Sequence, residues 1–347
     1  MRTTIAVILS LTAFAAVKDA PSTPAAVYGG IEIGSRGVKA RLFSFTGNGD
    51  SRAVRQHFSK SINTALVSSM VSGKFTPEAI REVSQAVSVF VRDLKSAAES
   101  EKLGPLEIFA VASSGVAKGS NRADLLEEIR RASGVEAELA GASTEGLDGL
   151  ISAIPAPRRD ESLLIDTGSG NTTAGCLVDG NYRSAEIPYG SVSLRNAAID
   201  SADYESALQS VLDRTVKPDY RRQTLNRPCL ANRGRIYWIG GAAWAAATFL
   251  HPEHAANAYV EITRAELDQF LAKLKNRSWN ATPPRAPAAL QEWKDVQNVF
   301  AREDVLAGVA IFRSLLDLSN PNARILFARN GSFLYGHALS RYVERKP

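Results

Sequence analysis

Two short segments of this chain carry residue types suited to holding phosphate: Glu32-Ile33-Gly34-Ser35-Arg36-Gly37 and Asp166-Thr167-Gly168-Ser169-Gly170-Asn171-Thr172. Glycine lets backbone N–H groups approach phosphate oxygens closely, hydroxyls add donors, and a carboxylate at a strand end can hold a divalent cation directly or through water. One such hairpin tip says little, because any Gly/Ser turn has this composition. Two of them, each opening a similar stretch of sequence, are informative. On this reading Glu32 and Asp166 are cation ligands, and Gly34, Ser35, Arg36, Gly168, Ser169, Gly170, Asn171 and Thr172 bind phosphate.

Other chemistries find less support. Among the histidines only His251 and His254 are close in sequence, and beside Pro252 at the end of a helical stretch they are expected to face solvent. No Gly-x-Ser-x-Gly elbow is present to expose a nucleophilic serine. Trp238 and Trp244 flank Gly240-Gly241 and are read as core residues. The only cysteines, Cys176 and Cys229, cannot alone build a thiolate zinc site, and are either one bridge or two buried thiols.

The elements around the two segments follow from pattern. Val27 to Ser35 reads as a strand entering a Gly/Ser turn, and Val38 to Phe45 as the return strand. Thr76-Pro77 opens a helix with Ile80, Val83, Val87, Val91 and Leu94 on one face. Leu106 to Ala112 is a strand, Ser113 to Ser120 a polar loop, and Asn121 caps a helix ending at Gly134. A strand, loop and helix in succession imply a layered α/β fold. The proline-bearing stretch from Pro155 to Asp160 divides the chain into residues 27–155 and 161–340. The second part opens as the first does, with Ser162 to Asp166, the Gly-rich turn, Thr172 to Val178, and a tight Asp179-Gly180 turn into Tyr182 to Ile187. Later come the strand Arg235 to Ile239, an alanine-rich helix, a capping box of Thr263 with Glu266, a proline-rich loop over 276–291, a helix from Val305, the strand Arg324 to Ala328 and a closing helix.

Composition sets the frame. With 347 residues, 45% hydrophobic and 22% charged, the chain can bury one large core or two moderate ones. Its formal charge of +5 is scattered, with no basic run to dock nucleic acid. Residues 1–16, with Arg2, an apolar run of about twelve residues and the small-residue step Ala13-Phe14-Ala15, read as a secretory signal, too short to span a bilayer. A periplasmic or secreted protein without stable membrane insertion is expected; a homodimer is allowed, with no sequence signal either way.

From Val27 to about residue 340, the order and spacing of these segments resemble the Ppx/GppA phosphatases of the acetate-kinase/sugar-kinase/actin superfamily. Glu32-Ile33-Gly34-Ser35 is similar to the first phosphate loop of that family, and Asp166 through Thr173 to the second. Ser113 through Asn121 with Ala140 through Gly146 is similar to the element between them, and Glu145-Gly146 also resembles a step of secreted nucleoside di- and triphosphatases. The resemblance implies two ribonuclease-H-like, actin-like ATPase lobes with a cleft between them. There Mg2+ and the terminal phosphate of polyphosphate or a nucleotide would lie, Glu145 would be the general base, and Lys118 a phosphate-binding cation. The chain departs from the family pattern at Glu32, where the family has aspartate, at Thr173 for glutamate, at Ala117 for arginine, and at Arg329-Asn330 for a Ser-Asp-Gly step.

Overall fold

A computed structural model describes residues 26–35, 37–47, 53–64, 66–67, 69–280 and 282–344. The expected signal segment 1–16 and the expected phosphate ligand Arg36 lie outside the described residues.

The first part forms a five-stranded sheet from β1 (Ala26–Ile33), β2 (Gly37–Thr46) and β3 (Ala53–Asn63), joined through α1 (Pro77–Ser100) to β4 (Leu106–Ala112), and through α2 (Arg122–Ser133) to β5 (Ala137–Leu139). Strand order is β3-β2-β1-β4-β5, antiparallel across the first three and parallel from β1 onward. Alternation decides which side chains face which layer. Ile31 and Ile33 of β1, with Val38, Ala40 and Leu42 of β2, pack on Val83, Val87, Phe90 and Leu94 of α1, all buried. Glu32, Lys39 and Arg41 therefore fall on the opposite face. Helix α1 starts where expected, with Thr76 Oγ1 accepting from Ala79 N at 3.2 Å and proline in the first turn. Asn121 differs from its expected role as a cap: its amide is spent on the backbone of Phe75, tying the loop before α1 to the start of α2.

Helix α3 (Ala142–Ala153) leads to the second sheet. There β6 (Ser162–Thr167), β7 (Thr172–Val178) and β8 (Asn181–Ile187) form the antiparallel ribbon, with positive φ at Asp179 and Gly180 in the tight turn. The chain continues through α4 (Ser191–Ala198), α5 (Tyr204–Val211), α6 (Lys217–Thr224) and α7 (Cys229–Asn232) to β9 (Arg235–Ile239) and α8 (Gly241–Leu250). It ends with β10 (Tyr259–Glu261), α9 (Arg264–Lys275), α10 (Pro287–Val299), α11 (Arg302–Leu316), β11 (Arg324–Ala328) and α12 (Phe333–Glu344). Strand order β10-β11-β9-β6-β7-β8 repeats the first sheet, with β10 added at one edge. Helix α10 begins inside the stretch expected to be loop, because Pro287 sits in its first turn, where the missing N–H costs nothing. Cys176 of β7 and Cys229 of α7 form a disulfide, the alternative that the sequence leaves open.

Two helices lie between the sheets. Leu150, Ala153 and Ile154 of α3 pack on Leu164, Tyr237 and Ile239 of the second sheet. Phe333, Leu334, Ala338 and Tyr342 of α12 cover Tyr28, Phe43, Phe45 and Phe109 of the first. The closing helix, grouped by sequence with residues 161–340, thus completes the layer over the first sheet. Asp148 of α3, 3% exposed, is held by His337 Nδ1 at 2.9 Å and Ser340 Oγ at 3.0 Å, both from α12. The helices cross at Gly336, where a Cβ would meet the carbonyl oxygen of Asp148 at 1.8 Å. Gly336→Ala is therefore expected to destabilise the protein by about 1–3 kcal/mol through overpacking. Gly234→Ala, where a Cβ meets nothing within 4 Å, should change stability by less than about 0.5 kcal/mol. Denaturant unfolding of both variants checks the contrast, and equal stabilities would refute the tight crossing.

Candidate functional site

The two hairpin tips converge. In the first, Gly34 N donates to Gly37 O at 2.8 Å, which sets the register Ile33 to Val38 and Glu32 to Lys39. Glu32 is thereby opposite Lys39, and Lys39 Nζ reaches Glu32 Oε1 at 3.1 Å. In the second tip, Gly168 N donates to Asn171 O at 3.0 Å, and the next-to-last strand residue is Asp166, the counterpart of Glu32. A Cβ built on Gly170 would lie 3.9 Å from Ser35 Oγ, so the tips face each other at short range.

Helix α4 fixes the way the second tip presents itself. Ser191 N donates to Gly168 O at 2.9 Å, Val192 N and Ser193 N donate to Ser169 O at 3.0 and 3.1 Å, and Ser193 Oγ donates to Gly170 O at 3.0 Å. Each planar trans peptide sets its N–H opposite its C=O. The carbonyls of residues 168–170 point at α4, so the N–H groups of Ser169, Gly170 and Asn171 point away from it. A row of like-directed amides is what an anion needs. The close approach requires glycine at 190, where a Cβ would fall 2.4 Å from Gly168 O. Gly240, at φ 101°, likewise lets its loop sit against Asp166, since a Cβ there would meet Asp166 Oδ1 at 3.0 Å.

Glu145, in the first turn of α3, accepts from Ser114 N at 3.1 Å. Its pKa is raised, first by burial and then by the charge of Glu32, against the lowering effects of the Ser114 hydrogen bonds and Lys39. Asp166 is pushed up to about 7, chiefly by burial, then by Glu145 and Glu32, with Lys39 opposing. Burial and the charge of Asp166 also raise the pKa of the Tyr182 phenol, whose oxygen is buried without a hydrogen bond beneath Gly146 and beside Gly175. Three carboxylates and one lysine thus share one electrostatic environment between the lobes.

Some expected ligands are committed elsewhere. The Thr172 hydroxyl is buried and donates to Tyr189 O at 2.8 Å, and the Asn171 amide donates to Glu186 at 2.9 Å. Lys118 ends a short 3-10 turn with its side chain exposed. Gly34 and Ser35 lie at the first tip, with Gly115 allowing the Ser113–Lys118 loop to close on Ser35: a Cβ there would meet its Oγ at 2.2 Å. Sequence reasoning missed Lys39, and it missed Arg41, which lies on the same face of β2 and donates to Ser332 Oγ at 3.0 Å. The signal was available, because the Gly34–Gly37 turn fixes which β2 residues oppose Glu32.

Glu32, Asp166 and Glu145 are oxygen donors of the kind hard divalent cations take. Among the described residues, the group of three donors drawn within 4.8 Å of one another lies elsewhere, at His251, Glu253 and His254.

No protein-family model matches the chain, and no curated protein sequence matches it. Solved structures do. A Ppx/GppA family member from Aquifex aeolicus has a TM-score of 0.70 at 16% identity, covering 93% of this chain and 99% of that one. An exopolyphosphatase from Cytophaga hutchinsonii has 0.68 at 14%, covering 92% and 98%. An exopolyphosphatase-like protein has 0.65 at 17%, covering 91% and 97%. The protein has their two-lobed, actin-like ATPase fold.

The raised pKa of Asp166 has a defined sign in stability. A carboxyl whose pKa rises from 3.8 to about 7 on folding binds more protons in the folded state. Its favourable contribution is complete below about pH 4 and is lost as pH climbs through 7. Asp166→Asn should match wild type in acid and exceed it increasingly above, by on the order of 5 °C in Tm at pH 8 without divalent cations. Thermal melts across pH check this; a constant offset would show that Asp166 does not titrate as described.

Proposed function

We propose that this chain, folded as the Ppx/GppA proteins are, hydrolyses the terminal phosphoanhydride of polyphosphate or a nucleoside polyphosphate after export from the cytoplasm. The observation that carries the reading is Glu145, a carboxylate of raised pKa, held by a backbone N–H of one lobe and electrostatically coupled to the acidic tips of both. A base works best with a pKa drawn toward the working pH. Glu145 accepts a proton from a water lined up with the terminal phosphorus, the oxygen of that water bonds to phosphorus, and the bridging P–O bond breaks to leave the shortened chain. The amides of Ser169, Gly170 and Asn171, with Ser35 opposite, hold the phosphate oxygens in place. Such a reaction depends on positioning and charge compensation more than on covalent participation by the protein. Glu32 and Asp166 fit a hydrated Mg2+, which when bound supplies neutralising charge at the phosphate oxygens.

Phosphate release from polyphosphate and nucleotides in the presence of Mg2+ tests the reading. Glu145→Gln should lower kcat at least about 100-fold while ligand-induced thermal stabilisation persists. Equal rates in variant and wild type would remove Glu145 from the mechanism. Thr173, Ala117 and Glu32 favour a second reading, in which the cleft binds phosphate or nucleotide without turnover. Ligand stabilisation of the wild type with no phosphate released would select it.

The leader-like residues 1–16 and the Cys176–Cys229 bridge support an oxidising, extracytoplasmic compartment. N-terminal sequencing of protein from a secreting host is expected to show a start beyond the Ala13-Phe14-Ala15 step. Secreted or periplasmic material retaining Met1, or retention of all the protein in the cytoplasm, would overturn export.

A further inference from the structure

A second cluster of metal-ligating side chains lies in the second lobe, where α8 ends. After Leu250 the chain makes a 3-10 turn at Pro252–His254, closed by His254 N donating to His251 O at 2.9 Å. The turn brings His251, Glu253 and His254 to one side. His251 Nδ1 is 3.2 Å from Glu253 Oε1, and His254 Nε2 is 3.7 Å from the same oxygen. The three donors lie within 4.8 Å of one another. Ligands about 2.0–2.1 Å from a tetrahedral zinc ion stand roughly 3.3 Å apart, so small side-chain rotations would close the set. The expectation that both histidines face solvent holds for neither fully. His251 is 17% exposed and His254 45% exposed: the turn packs against α10, and the His251 ring approaches Glu266 of α9.

The surroundings are arranged as they are around bound metals. The buried Nε2 of His251 has no aligned hydrogen-bond partner and lies 3.3 Å from Glu266 Oε1. The other oxygen of Glu266 is occupied, accepting from Thr263 N and Thr263 Oγ1 at 2.7 Å each in the capping box of α9. One carboxylate oxygen is thus anchored while its neighbour stands 3.3 Å from Nε2, near enough for a small ring rotation to make the hydrogen bond that fixes a ligand's tautomer and raises its basicity. His254 Nδ1 lies 3.1 Å from the side-chain amide nitrogen of Asn257; turning that amide over would present its oxygen to accept Nδ1–H, which frees Nε2, on the Glu253 side, as a ligand. The backbone of the turn is itself clamped: Arg329 donates to His254 O at 3.2 Å and to Asn257 O at 3.0 Å, and pairs with Glu292.

The geometry points to a site for one zinc-class transition-metal dication, held by His251 Nδ1, Glu253 and His254 Nε2, separate from the carboxylates of the cleft. Two imidazoles and a single carboxylate select zinc, copper or nickel over magnesium, whose preference is for oxygen and water. Three protein ligands leave a coordination position for water on the exposed side. The bound ion ties the turn after α8 to the start of α9 through Glu266, stiffening the segment on which Arg329 is docked.

Untagged protein, stripped with chelator and titrated with Zn2+ at neutral pH, is expected to take up one equivalent and to gain thermal stability. Excess Mg2+ should not displace it. His254→Ala, a substitution at a half-exposed position that leaves the core intact, should weaken uptake at least about 100-fold and abolish the thermal gain; Glu266→Gln should weaken it about 10-fold. Circular dichroism of the variants confirms that they are folded, and a Glu253→Gln variant gives an independent reading should His254→Ala not fold. The proposal is overturned by any of three results: no saturable zinc uptake by wild type, uptake unchanged in folded His254→Ala or Glu253→Gln, or displacement by Mg2+ at comparable concentration.

Discussion

Burial of Asp166 and Glu145 within reach of each other and of Glu32 is the constraint around which the cleft is organised. Burial raises the pKa of Asp166 and Glu145 most and neighbouring carboxylates raise them further, while Lys39 and Arg41 set positive charge beside Glu32. A protein does not keep such a group together for stability, since removing a carboxylate would lift that penalty. The arrangement persists because each carboxylate is attached to a rigid element: Glu32 to β1, Asp166 to β6, and Glu145 to the first turn of α3. Carboxyl groups perturbed by burial and by one another are more typical of functional clefts than of structural ion pairs.

The repeated sheet explains how two unrelated stretches of chain arrive at equivalent positions. In each lobe an acidic residue occupies the next-to-last place of the first strand, the tip follows, and a parallel neighbour, β4 or β9, ends at the same level. The lobes are not copies in detail. Lys39 faces Glu32 across the first hairpin, whereas Thr173 holds the corresponding place opposite Asp166. The positive charge is confined to one side of the cleft, and the tip amides supply the matching donors on the other.

The sequence was legible where a local rule had no competitor. Thr76-Pro77 opens α1, Asp179-Gly180 makes the tight turn, and Thr263 with Glu266 caps α9, each by chemistry contained in a few residues. Long-range competition obscured the rest. Asn121 reads as a cap, yet its amide goes to Phe75, forty-six residues distant in sequence. Pro287 reads as one of several loop prolines, yet it starts α10. In the cleft, the two tips and Glu145 were legible through composition and resemblance. Lys39, Arg41 and the Tyr182 phenol were not, because their significance comes from register and burial. Thr172 shows the converse: a hydroxyl in a phosphate-loop pattern is used to brace the loop from beneath.

The return of α12 to the first sheet has a consequence for biogenesis. Tyr28, Phe43, Phe45 and Phe109 belong to strands made early, but the helix that shelters them is among the last segments to leave the ribosome. Until residues near 340 emerge, the half made first presents an open aromatic surface and cannot close into a finished unit. Folding by independent halves, the usual expectation for a two-part chain, is thereby denied to this one. The first sheet acquires its second covering layer only with the last described helix.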